Sequence, residues 1–159
     1  MRIGFIGLGN VGGKLAGSLL RNNFNLTVRD LDQELVNEFV KKGAQKADSP
    51  IEVAEQSDVI ITCLPHPKIS AEVMEGENGI LGGLSKGKVW LEMSTTDQYE
   101  VKRLGKKVIL KDAEAVDCPV SGGCHRILGN QLLLHPSILL SIWWMSSGGY
   151  RKYINICRL

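Results

Sequence analysis

Gly7-Leu8-Gly9-Asn10-Val11-Gly12 sets three glycines at the spacing G-x-G-x-x-G. The chemistry open to such a run is that of bare backbone, since amide N–H groups with no side chains in front of them can close on an anion such as a phosphate. In that spacing Gly7 permits a tight turn, Gly9 removes the side chain that would hold a diphosphate away, and Gly12 lets a helix approach a strand. Asp30 stands 18 residues past Gly12. Its carboxylate can accept hydrogen bonds from the 2′ and 3′ hydroxyls of an adenosine ribose, so the combination points to a dinucleotide. The same carboxylate repels a 2′-phosphate, which favours NAD over NADP. Arg29 beside it is the residue that could turn toward such a phosphate.

Three further stretches offer chemistry. Ile60-Ile61-Thr62-Cys63-Leu64-Pro65-His66-Pro67 runs an apolar segment into a proline-stiffened loop, and Glu92-Met93-Ser94-Thr95-Thr96-Asp97 ends another with hydroxyls and a helix start. Read by themselves these are strand ends, with Ser94, Thr95 or Thr96 capping the next helix. Ser121-Gly122-Gly123 is a run of small residues that can present N–H groups to an anion or serve as a flexible turn.

Hydrophobic periodicity supplies the elements that must position these groups. Ile3 to Ile6 reads as a strand, after which Val11, Leu15 and Leu19 recur every fourth residue, with Lys14, Ser18 and Arg21 on the other side of a helix. Leu26 to Val28 is the next strand. Leu35, Val36, Phe39 and Val40 form a second helical stripe that stops at Gly43. The alternation continues through a short helix at Ile51 to Gln56, a strand at Val59 to Leu64, a helix near Ile69 to Met74, and a strand at Val89 to Met93. A helix at Asp97 to Leu110 and a strand at Ala115 to Pro119 complete it. Strands that are apolar throughout are covered on both faces, so the expected fold class is α/β, a doubly wound, mostly parallel sheet of the Rossmann kind. Residues 1 to 130 form that dinucleotide-binding domain in this reading, and 131 to 159 an apolar tail.

Bulk properties narrow the partners. The chain has 159 residues, enough for one domain, with Lys+Arg 19 against Asp+Glu 17. Its densest basic run, Lys102 to Lys111, is interleaved with Val101, Leu104, Val108 and Ile109, as on the solvated face of an amphipathic helix, so no nucleic-acid partner is expected. Cys63, Cys118, Cys124 and Cys157 show no C-x-x-C pair and read as free thiols. Cys124, His125 and Cys118 lack the fourth partner of a metal cluster, so no metal is expected. Met1-Arg2-Ile3-Gly4 enters a strand at once, leaving no room for a targeting segment, and the expected location is cytoplasmic.

The motifs FIGLGNVGG, CLP, EMSTTD and CPVSGG, in that order over residues 1 to about 130, resemble the β-hydroxyacid dehydrogenase family. That family contains 3-hydroxyisobutyrate dehydrogenase, tartronate semialdehyde reductase and the cofactor domain of 6-phosphogluconate dehydrogenase. The resemblance implies an oxidoreductase using NAD or, less readily, NADP on a small hydroxy acid. It also implies that Gly7, Leu8, Gly9, Asn10, Val11, Gly12 and Asp30 hold the cofactor, that Leu64, Pro65 and Thr95 meet its nicotinamide side, and that Ser121, Gly122 and Gly123 take the substrate carboxylate. Val11 stands where the family often has Met, and Gln98 where a proline often follows the Ser-Thr pair.

Downstream the likeness stops. Family enzymes are about twice as long and place a catalytic lysine on a helix leading into a second, all-helical domain; no counterpart follows Gly129, so no catalytic residue is named. From Ile127 to Tyr150 there is not one Asp, Glu, Lys or Arg. Three readings of this tail stay open. It is a membrane span, though Pro136 interrupts it and its core falls short of the roughly 20 residues a spanning helix needs. It is sheet, with Gln131 to His135 in the next strand position, or it is sequence unrelated to the family. The chain therefore reads as a truncated cofactor domain with little or no turnover by itself. The alternative is a non-catalytic dinucleotide-binding or regulatory module associating with another copy or a full-length relative, since an unpaired sheet edge favours association.

Overall fold

The computed structural model describes residues 1–95 and 97–119, together with the backbone of a two-residue strand at 154–155. Strands and helices alternate: β1 (Arg2–Ile6), α1 (Gly12–Arg21), β2 (Asn25–Arg29), α2 (Gln33–Lys41), β3 (Gln45–Lys46), α3 (Pro50–Gln56) and β4 (Val59–Thr62). Then come α4 (Pro67–Glu75), α5 (Ile80–Gly83), β5 (Val89–Glu92), α6 (Gln98–Ile109), β6 (Glu114–Asp117) and β7 (Ile154–Asn155). All strand pairs are parallel, in the order β3-β2-β1-β4-β5-β6-β7. The order reverses between β1 and β4, and in such sheets that crevice at the carboxyl ends is where ligands sit.

Side-chain alternation along the strands builds two cores. Ile3, Phe5, Val28, Ile61, Leu91 and Val116 pack on one face against Leu15 and Leu19 of α1 and Val36 and Phe39 of α2. Ile6, Ile60, Trp90 and Ala115 pack on the other against Val53 of α3, Met74 of α4, Ile80 of α5, and Val101, Leu104 and Val108 of α6. Helices on both faces are what strands apolar on both sides require.

Several expectations shift in detail. The ladder at β4 ends at Thr62, two residues before Leu64, leaving Cys63 and Leu64 in the loop. β3 and α5 carry no sequence signal of their own: β3 is two exposed polar residues and α5 four residues with two glycines. Beside β6 lies Ile154–Asn155, paired with Val116 and Asp117. Residues 131 to 135 themselves lie outside the described residues. Among the described residues no helix is long and apolar enough to cross a membrane.

Candidate functional site

A cleft of about 730 Å³ opens at the switch point, lined by the loops after β1, β2, β4 and β5. Its floor is the first βα turn. Gly7 has φ +98°, and a Cβ there would stand 2.3 Å from the Cys63 carbonyl oxygen. A Cβ on Gly12 would stand 1.9 Å from the Gly7 carbonyl oxygen. These two glycines are therefore demanded by the fold. Gly9 differs, because a Cβ added to it would meet nothing within 4 Å. Its missing side chain leaves bare backbone where it lines the cleft, and packing does not demand it.

Helix α1 begins on Val11 with no side-chain cap. Helices α4 and α5 likewise start without a side-chain cap, whereas α2, α3 and α6 are capped by Asp32, Ser49 and Asp97, whose side chains accept from first-turn amides. With no side-chain oxygen at the start of α1, the positive end of its dipole is open to an anion in the cleft, while the Gly13 and Lys14 N–H groups of the first turn donate to the Gly9 carbonyl at 2.7 Å and the Val11 carbonyl at 3.1 Å. The Asp97 cap also corrects the expectation that Ser94, Thr95 or Thr96 would start α6; Ser94 is engaged elsewhere.

Asp30 follows β2 directly. Its Oδ2 accepts from the Leu8 N–H at 2.5 Å and its Oδ1 from the Asp32 N–H at 2.9 Å. The carboxylate is thus fixed by backbone on both oxygens, and since it offers about four acceptor sites, capacity remains toward the cleft it lines. Arg29 lines the cleft beside it and reaches the Asp48 carbonyl at 3.4 Å. Leu31, 83% exposed, continues the same rim with Pro50, Ile69 and Val73 to form an apolar flank. Sequence reasoning passed over that flank; Leu31, an apolar residue set among Asp30, Asp32 and Gln33, was its one signal.

The opposite end is built by the loops after β4 and β5. Leu64, Pro65 and Thr95 all line the cleft, as do Cys63, Met93 and Ser94. Burial, with Glu92 adding to it, pushes the Cys63 thiol up to about 11, so it is no ready nucleophile or base. Behind the loops lies Glu92, fully buried. Burial raises its carboxyl to about 7, the hydrogen bonds from Ser94 pulling the other way. Asp117, its register partner on β6, is raised by burial and opposed by Lys102.

Of the ten residues expected to hold a cofactor, the structure brings Gly7, Gly9, Asn10, Val11, Gly12, Asp30, Leu64, Pro65 and Thr95 to one cleft. Leu8 is buried instead, and contributes through its amide to Asp30. Ser121, Gly122 and Gly123 lie outside the described residues, as do Cys124, His125 and Cys157. Among the described residues no cluster suited to a metal is present, and Cys63 is a free thiol.

Comparison with known proteins agrees with this geometry. Residues 2–137 match the family described as the NAD binding domain of 6-phosphogluconate dehydrogenase. A mitochondrial 3-hydroxyisobutyrate dehydrogenase from Mus musculus is 43% identical over 121 residues, which cover 76% of this chain and 36% of that protein. The chain thus spans little more than a third of that relative. In fold it is similar to 3-hydroxyisobutyrate dehydrogenase from Mycobacterium tuberculosis, with TM-score 0.76 and 20% identity over 98% of this chain and 54% of that one. It is likewise similar to an imine reductase from Myxococcus stipitatus in complex with NADP+, with TM-score 0.72 and 16% identity over 93% of this chain and 63% of that one.

Proposed function

The chain belongs to the family of the 6-phosphogluconate dehydrogenase NAD-binding domain, and from that premise we propose that it holds NAD in preference to NADP as the cofactor half of an oxidoreductase of short 3-hydroxy acids. The observation that carries the reading is the open space at Gly9 in front of an uncapped helix, with the Asp30 carboxylate locked at the rim.

Residue roles follow from placement. The positive amino end of α1 and the bare backbone at Gly9 hold a diphosphate, and Asp30 accepts from the ribose hydroxyls while repelling a 2′-phosphate. Leu64, Pro65 and Thr95 orient the nicotinamide, and by the family resemblance, not by placement, Ser121, Gly122 and Gly123 take the substrate carboxylate. The bound cofactor supplies the hydride acceptor; the protein supplies alignment and a route for the hydroxyl proton. No lysine or histidine lines the cleft among the described residues, and Cys63 is held protonated. A positioned base contributes roughly 10² to 10⁴ in rate, so this polypeptide alone binds cofactor and turns over little. The similarity to 3-hydroxyisobutyrate dehydrogenases supports the substrate class.

Calorimetric titration with NAD+ and NADP+ tests the preference. NAD+ is expected to bind at least fivefold tighter, and Asp30→Asn to reduce that ratio severalfold by removing the charge while leaving an oxygen for Leu8. Tighter NADP+ binding by the unaltered chain would contradict the assignment. Assays with 3-hydroxyisobutyrate and NAD+ are expected to show a melting shift without appreciable reduction; steady turnover would contradict the account of the missing base.

A further inference from the structure

Beyond the last ladder bond between β4 and β5, from Met93 N–H to the Thr62 carbonyl at 2.8 Å, a side chain takes over the joining of the two strands. The Leu64 N–H donates to Ser94 Oγ at 2.7 Å, and that hydroxyl in turn donates to Glu92 Oε1. The same Oε1 accepts from the Ser94 N–H at 2.8 Å, while Oε2 has no hydrogen-bond partner. Ser94 is 3% exposed, and Trp90 donates to Thr62 Oγ1 at 2.9 Å alongside. A carboxyl buried with one oxygen unserved is costly, and packing alone would be met more cheaply by an apolar side chain. What the carboxyl provides is a single oxygen that fixes both donors of Ser94, so that the serine hydroxyl must present its lone pair to Leu64.

We infer that Glu92 and Ser94 are positioning residues that clamp the loop of Leu64 and Pro65 to the loop of Thr95 at the nicotinamide end of the cleft. This rests on the cofactor reading above. Neither residue needs to touch the ring. The clamp is local to one end, because Asp30 and the glycine turn are held by backbone contacts that do not pass through it.

The test separates the two ends of the ligand. Calorimetry with ADP-ribose reads the adenosine and diphosphate end; NADH binding, followed by the blue shift of reduced-nicotinamide fluorescence, reads the other. Ser94→Ala and Glu92→Ala are expected to keep ADP-ribose affinity within twofold while weakening NADH at least fivefold and diminishing the blue shift. Glu92→Gln, whose amide oxygen still accepts, is expected to stay within twofold of the unaltered chain on both readouts. If Ser94→Ala keeps the original NADH affinity and spectrum, or loses ADP-ribose in parallel, the clamp is overturned. An unaltered chain that binds ADP-ribose but never shifts NADH emission also overturns the clamp and leaves the cofactor site standing. One that binds neither overturns the cofactor reading, and the clamp with it.

Discussion

The turn after β1 and the loop after β5 border one cleft on one sheet edge, yet they are held in different ways. At the first, backbone meets backbone: the Gly7 carbonyl fills the space where a Gly12 side chain would stand, and Leu8 and Asp32 amides fix Asp30. At the second, a buried carboxyl and a serine hydroxyl join two strands that have stopped pairing. A backbone lock tolerates no added atom, whereas a side-chain lock depends on protonation and on one hydroxyl. The two ends should therefore fail differently.

The largest effect is expected at the backbone lock. Gly12→Ala forces a carbonyl 1.9 Å from a new methyl to move, and Gly7→Ala adds a left-handed φ of +98°. Each is expected to cost roughly 3 kcal/mol or more, read as a lowered denaturant midpoint. A midpoint within experimental error of the unaltered chain would mean that the turn is not locked as described.

A smaller effect, with a distinct pH signature, is expected at the side-chain lock. The folded state holds the Glu92 proton up to about pH 7, while the unfolded chain releases it near the ordinary glutamate value of 4.5. Stability from this group is thus fully present below that ordinary value and is lost as pH rises through the window to about 7, at roughly 1.4 kcal/mol per unit. Other carboxyls titrate as well: Asp117 and Glu114 are shifted in the same direction by burial, and Asp58 in the opposite direction by its bond to Arg2. The difference between the unaltered chain and Glu92→Gln isolates one group. Melting curves are expected to converge or cross as pH rises from 5 to 7.5, with Glu92→Gln the less pH-sensitive; parallel curves would remove Glu92 as the titrating group.

How much of this was legible beforehand follows from where each cause lies. The turn could be read because Gly7, Gly9, Gly12 and Asp30 act within one βαβ unit, where spacing along the chain fixes spacing in space. Apolar strands and four-residue helical stripes gave β1, β2, β4, β5 and β6 and the longer helices for the same local reason. The Glu92 network was not legible, because Leu64 and Ser94 meet only through the register of β4 on β5. Nor was β3, whose Gln45 and Lys46 pair with β2 through backbone alone and bury no side chain. Ser94 was read as a helix cap since hydroxyls before a helix usually serve so; Asp97, three residues on, does that work instead.

Away from the cleft the smallest effect is expected. Arg103 reaches both Glu75 and Glu100 on the surface between α4 and α6, and its hydrogen bond, with that of Lys107, holds the Glu75 carboxyl down to about 2. Such a contribution is present above the ordinary glutamate value and lost as pH falls toward 2. These side chains are solvent-screened, and Arg103→Ala is expected to change stability by less than about 1 kcal/mol and to leave NAD+ affinity untouched. A larger loss, or any change in affinity, would mean that the sharp line between cleft and surface is misplaced.

The central claim rests on Gly9, a cleft-lining glycine with empty space where its side chain would be. Calorimetric titration of Gly9→Val with NAD+, beside the unaltered chain, tests it most directly. The expected result is an unchanged cooperative melt with affinity reduced at least tenfold. Equal affinity in the two chains would contradict the assignment of that bare backbone to a bound diphosphate.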